Sequence, residues 1–387
     1  MLAFLYLLAA RGSSPQQLGS AVSAIAIATA AVGFIDFGTN SHWVREISRG
    51  SMDPHELGRR LTVKIVAALA AGIVWVGVVS LVRSDSMLWT ATPVMLGLII
   101  NQTSQVALRA AARGELVAIM ILCDRIAAFL IFLVLIVAGL SSASVLWISL
   151  TCGSLVSASL GWLFVEGRHR PVPAFSLRTN PWRGAGFFGV SSLANSAQSL
   201  DLPILSIVAG PAAAGLFGAV NRWTQPMSLL AAAFSAASAP FVSRSSDVID
   251  AWRHVRQAVW MPASAVALST AVAIAAPALV PLLLGDGYVG SVESLRVLAF
   301  VSIFSILSQP LMVILQSLGH DRYTALCMGT AVALQLLAVA IMGAAYGSLG
   351  AAYASLITQI LIFGAFVVRV VRIYRHARAA VLAETGK

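Results

Sequence analysis

Residues 184–210, GAGFFGVSSLANSAQSLDLPILSIVAG, and residues 211–244, PAAAGLFGAVNRWTQPMSLLAAAFSAASAPFVSR, decide the fold. Crossing a bilayer core takes about 20 apolar residues in a helix, and each of these two runs is long enough. The Gly210-Pro211 break between them makes the pair an antiparallel transmembrane hairpin. Each run carries polar groups deep inside its apolar stretch. Asn195, Gln198 and Asp201 lie on the way out, and Asn221, Arg222 and Gln225 on the way back. Ionisable side chains at membrane depth are costly and face a bundle interior or a wet cavity, so the hairpin is expected to line something other than lipid.

The rest of the chain has the same character. Apolar residues make up 59% of its 387 positions and charged residues 10%, and the mean hydropathy is +0.88. That composition belongs to an all-α polytopic membrane protein and excludes a water-soluble domain. The net charge of +10 therefore bears on which membrane face holds the basic residues, and nucleic acid is not an expected partner. Cys123, Cys152 and Cys327 all fall in apolar runs without paired spacing, so neither a disulfide framework nor a metal site is expected.

Apolar runs bounded by charge or turn residues fall at 1–10, 16–38, 60–82, 87–108, 116–140, 143–165, 184–209, 212–243, 258–284, 293–318, 323–345 and 348–371. This predicts about 12 transmembrane helices, the first of them short. Residues 1–10 read as the second half of a span, and further apolar residues are expected upstream of them. With both termini cytoplasmic, twenty of the 25 Lys and Arg residues fall inside and two outside, and this asymmetry orients the chain. Lys64 counts among the inside residues, and all six histidines fall on that side as solvated loop residues.

Residues 18–49 and 214–244 share a small-residue start and a basic end, at an offset near half of a twelve-helix chain. That suggests two six-helix lobes in parallel repeat. The expected division is an N-terminal lobe over 1–165, a cytoplasmic interlobe linker over 166–183 with three prolines, a C-terminal lobe over 184–372 and a basic tail over 373–387.

Polar residues at depth are the candidate cavity: Asn101 and Gln105 in the fourth span, Asp124 and Arg125 in the fifth, Asn195, Gln198 and Asp201 in the seventh, and Asn221, Arg222 and Gln225 in the eighth. Arg125 lies ten residues past Glu115, or ~15 Å along a helix, close to the midplane. Asp124 and Arg125 point about 100° apart, so at least one of them needs a partner on another helix. The competing reading of all these residues is interhelical glue, worth ~0.6–2 kcal/mol per hydrogen bond.

Enzyme signatures fare poorly. Gly285-Asp286-Gly287-Tyr288-Val289-Gly290 has the dinucleotide spacing GxGxxG but follows a membrane span where a strand is required, and is read as a turn. Asp36-Phe37-Gly38 repeats three kinase letters without a lysine strand or catalytic loop. Paired carboxylates at catalytic spacing are absent from the sequence, no cofactor is expected, and the chain does not read as an enzyme.

Five stretches in order resemble the polysaccharide-biosynthesis (O-antigen type) flippases of the multidrug/oligosaccharidyl-lipid/polysaccharide exporter superfamily. They are AARGSSPQQLG (9–19), GFIDFGTNSHWVREISR (33–49), SLDLPILSIVAGPAAAGLFGAVNR (199–222), LLLGDGYVGSVESLRVLAF (282–300) and GSLGAAYASLI (347–357). The resemblance implies alternating access and a polyprenyl-diphosphate-linked oligosaccharide as cargo, flipped from the cytoplasmic to the outer leaflet of a bacterial plasma membrane. It leaves room for a coupling ion, H+ or Na+, and for polysaccharide-assembly proteins as partners beside membrane lipid. A drug or organic-cation antiporter of the same superfamily is the alternative, followed by a membrane-embedded glycan polymerase.

Overall fold

The computed structural model describes residues 2–82, 87–165, 179–222 and 260–385, and these are helical with no strand among them. The N-terminal part runs through α1 (Leu2–Arg11), α2 (Pro15–Asp36), α3 (Thr39–Ser48), α4 (Pro54–Val82), α5 (Ala91–Ser104), α6 (Val106–Ala110), α7 (Gly114–Val137) and α8 (Ser142–Phe164). After it come α9 (Gly186–Ala197), α10 (Asp201–Ala209), α11 (Pro211–Asn221), α12 (Trp260–Leu284), α13 (Val292–Ser317) and the long run α14 (Asp321–Thr385). Seven helical segments among the described residues are long and apolar enough to cross a membrane. Large apolar side chains point outward along them, Leu81 and Val137 being almost wholly exposed, as lipid-facing positions require.

Local chemistry sets the boundaries. Ser14 and Gln17 form a capping box at the start of α2, each side chain bonding the other's backbone N–H, with Pro15 in the first turn. The helix stops where Phe37 and Gly38 turn left-handed, at φ 43° and 68°. The apolar run 184–209 is not one straight helix. Pro203 has no N–H to give the carbonyl of Ser199, and the run passes through a 3-10 turn, Gln198–Leu200, between α9 and α10.

Helix α14 folds back on itself at Gly347, whose φ of 59° and ψ of −134° are not helical. A Cβ on Gly350 would lie 1.9 Å from the Met342 carbonyl oxygen, so the two arms touch backbone to backbone. Tyr323 Oη donates to the Ala365 carbonyl at 3.0 Å farther along the same hairpin. The two arms correspond to the separate spans expected at 323–345 and 348–371. The GxGxxG stretch forms Gly285 and the 3-10 turn Asp286–Ser291 after helix α12, as the turn reading expects. Residues 223–244, most of the second copy of the suggested repeat, lie outside the described residues, as does 166–178 of the interlobe linker.

Two compact units divide the chain, Met1–Gly215 and Leu216–Lys387. In the first, α2 is the central helix, with 67% of its apolar window buried against 22% for α7. It packs on α5, α9 and α10, which is why α9 and α10 group with this unit. Gly19 lets α2 meet the start of α11, since a Cβ there would fall 1.7 Å from the Pro211 carbonyl oxygen. In the second unit α13 packs between α12 and the α14 hairpin, around a core that includes Ile314, Leu315 and Phe366.

Candidate functional site

Inside the first unit a polar network crosses from α6 to α7. Thr103 and Ser104 turn their hydroxyls back to the carbonyls of Ile99 and Asn101, and α5 yields to α6 at Gln105. Gln105 Nε2 then reaches Asn101 Oδ1 at 3.1 Å, and Arg109 Nη2 donates to Gln105 Oε1 at 2.7 Å. Ser157 on α8 donates to the same Asn101 oxygen at 2.9 Å, and Asn101 Nδ2 faces Asp124 Oδ2 on α7 at 3.4 Å. Asn101, Gln105, Asp124 and Ser157 are all buried.

Two glycines on α8 make the room. A Cβ on Gly153 would lie 2.9 Å from Asp124 Oδ1, and one on Gly161 would lie 2.8 Å from the Ser104 hydroxyl. The network nevertheless leaves one acceptor over, because Asp124 Oδ1 is buried without a hydrogen-bond partner. An unused buried carboxylate oxygen is uncommon in native structures and marks a place where a proton or small cation can be held.

Arg125 occupies the middle of α7, and its side chain is 31% exposed. It lines a shallow cavity of about 400 Å³ with Ala118, Ile121 and Leu122, on a helix that packs mainly against α8. The sequence-based expectation that one of Asp124 and Arg125 finds a partner on another helix is met by Asp124, which reaches Asn101 on α5. The Arg125 guanidinium returns to Asp124 Oδ2 at 3.5 Å, because the arginine stem is long enough to curl across the 100° separation.

The other expected cavity residues belong to the stretch from α9 onward. Asn195 sits in the last turn of α9, Gln198 is exposed, and Asp201 is buried with Oδ1 accepting from the Leu202 N–H at 2.6 Å. Asn221 and Arg222, at the end of α11 in the second unit, are half-buried. Gln225 lies outside the described residues.

A second buried polar cluster sits where α2 meets α3, and sequence reasoning missed it. Lys64, counted from the sequence among the basic residues of the cytoplasmic side, is 0% exposed. Its ammonium pairs with Asp36 and donates to Thr39 Oγ1 and Asn40 Oδ1, each at 3.0 Å. The overlooked signal was Asp36, a carboxylate at the end of an apolar run, in letters set aside as a chance kinase match. Among the described residues no three His, Cys, Asp or Glu side chains gather as metal ligands.

No protein-family model matches the chain, and no curated protein matches its sequence. Solved structures do match its fold. An inward-facing multidrug resistance MATE family transporter of the MOP superfamily superposes with a TM-score of 0.71 at 16% identity, over 97% of this chain and 94% of that one. The lipid II flippase MurJ in an inward closed conformation gives the same TM-score at 13% identity, over 95% and 85%. These likenesses show the fold, an all-helical membrane architecture of about twelve helices.

Proposed function

We propose that the protein is a transporter that moves a polyprenyl-diphosphate-linked oligosaccharide from the cytoplasmic to the outer leaflet by alternating access. Arg125 carries this reading. It places a guanidinium halfway along a spanning helix, beside the exposed apolar side chains of Ile121 and Leu122. Such a site complements an amphiphile with an anionic head and a hydrocarbon tail, because the arginine fork matches phosphate oxygens while the tail stays against apolar surface.

The resemblance of five sequence stretches to polysaccharide flippases and the fold shared with a lipid II flippase support the same cargo class. Two six-helix lobes, 1–165 and 184–372, joined through 166–183, are the moving parts in this reading, with both termini cytoplasmic in a bacterial plasma membrane. Asp124, with its unpartnered oxygen, is the group assigned to a coupling H+ or Na+. An organic-cation antiporter calls for an acidic, aromatic-lined cavity, whereas the cavity at Arg125 is lined by Ala118, Ile121, Leu122 and the arginine itself.

Deleting the gene and analysing lipid-linked glycans by leaflet tests the proposal. Accumulation of an undecorated carrier-linked glycan on the cytoplasmic leaflet, reversed by the wild-type gene, is expected. Unchanged glycans together with a new sensitivity to organic cations would replace it with the antiporter reading.

A further inference from the structure

The cluster at the α2–α3 elbow has the anatomy of a monovalent-cation site. Three oxygens face one point: Asp36 Oδ1, Thr39 Oγ1 and Asn40 Oδ1 all receive hydrogen bonds from the Lys64 ammonium. A fourth side is the Trp43 ring, whose centroid is 4.9 Å from the same nitrogen. Oxygens of one full and several partial charges, closed by an aromatic face, are what an ammonium-sized cation needs when it leaves water. Lys64, Thr39 and Trp43 are fully buried, while Asn40 is half-buried and the Asp36 side chain keeps 12% of its surface, so the protein's own oxygens supply most of the shell.

All the ligands come from one short segment. Asp36 Oδ1 also accepts from Thr39 Oγ1 at 3.0 Å and from the Asn40 N–H at 3.3 Å, so the carboxylate caps α3 and holds the cage in shape. Between them, Phe37 and Gly38 adopt the left-handed conformation, which for Phe37 is a strained state that surrounding contacts must hold. The lysine has three N–H donors and three oxygen acceptors, so the site is filled to capacity.

We propose that Asp36, Thr39, Asn40 and Trp43 form a monovalent-cation site of ammonium or potassium size whose resident is the chain's own Lys64 ammonium. The tethered charge keeps the elbow closed at all external ion concentrations. An exchangeable ion would hold it only when bound. The elbow also anchors the entry to α9, since Trp182 Nε1 donates to the Ile35 carbonyl at 2.8 Å and the Phe37 ring leaves room at Gly189 for no larger residue. The proposal does not depend on what the protein carries.

Chemical replacement of the ammonium is the test. Lys64→Ala is purified, and its Tm is compared in ammonium, potassium and choline chloride at equal ionic strength, beside wild type and Lys64→Ala/Asp36→Asn. Ammonium, and to a smaller extent potassium, is expected to raise the Tm of Lys64→Ala by ~2–4 °C over choline, with no such gain in wild type or the double variant. The same ammonium gain in all three proteins, or none in Lys64→Ala, overturns the proposal. Accumulation in membranes gives a second readout that survives poor folding. The double variant is expected to accumulate better than Lys64→Ala, because a buried carboxylate without its counter-ion costs more than the loss of both charges. A double variant no better than the single one overturns the proposal too.

Discussion

Arg125 and Asp124 are neighbours in sequence with opposite surroundings, one half-exposed on an open helix face and the other buried among α5, α7 and α8. Changing Arg125 to Ala is expected to lower glycan export about tenfold or more, since a charge-assisted hydrogen bond contributes ~1.5–3 kcal/mol, while protein level holds. Lysine is expected to restore part of the activity, keeping the charge and losing the fork. An Arg125→Ala protein with wild-type export, measured at matched expression, would remove this residue from the cargo path. Asp53 offers a pH-dependent check outside the membrane spans. Its Oδ1 accepts from the Glu56 N–H at 2.6 Å at the start of α4, and that hydrogen bond holds its carboxyl below the usual aspartate range. A depressed folded-state pKa means the cap stabilises above the ordinary aspartate pKa and is lost as pH falls through the lowered value. The Tm deficit of Asp53→Ala relative to wild type is therefore expected at neutral pH and shrinks on acidification; a constant deficit contradicts the cap.

The elements follow apolar run length closely where the background is uniform, and depart from it where a single residue intervenes. Helices α2, α7, α8 and α13 lie within three residues of their expected runs, because a long apolar segment in a bilayer has no alternative to a helix that satisfies its own backbone. The break at Gln198–Leu200 and the short helix α3 were not legible from hydropathy, which averages over a proline and treats an amphipathic turn as a polar connection. Among the candidate residues, Asn101, Gln105, Asp124 and Arg125 stood out because polar groups are rare in such runs, and they do come together. Lys64 did not stand out, since a lysine near a helix end reads as an interfacial anchor until its partner Asp36 is placed beside it. Close helix contact is itself testable. Gly153→Leu would push a side chain into the Asp124 carbonyl and carboxylate, and is expected to cost ~1–3 kcal/mol as a lowered Tm and to disrupt the Asn101–Asp124 pair. A Gly153→Leu protein of unchanged Tm would mean that α7 and α8 do not approach as described.

At the scale of the molecule, an apolar helical chain that shares its fold with MATE and MurJ structures carries a cation halfway along one helix, a spare buried carboxylate oxygen beside it, and a lysine-filled cage at the α2–α3 elbow. In the proposed reading, the first two features are where a lipid-linked anion and a coupling ion bind, and the third is the proposed device that keeps an elbow of the fold closed without one. Movement of a lipid-linked glycan between leaflets is the claim on which the others converge. The most direct measurement reconstitutes the purified protein into liposomes loaded with a fluorescent polyprenyl-diphosphate oligosaccharide and follows its exposure to an external glycosidase. Wild-type protein is expected to make the inner-leaflet pool accessible well above the rate in protein-free vesicles, with Arg125→Ala slower than wild type. Folded wild-type protein that leaves the inner pool as protected as empty vesicles do would contradict the account.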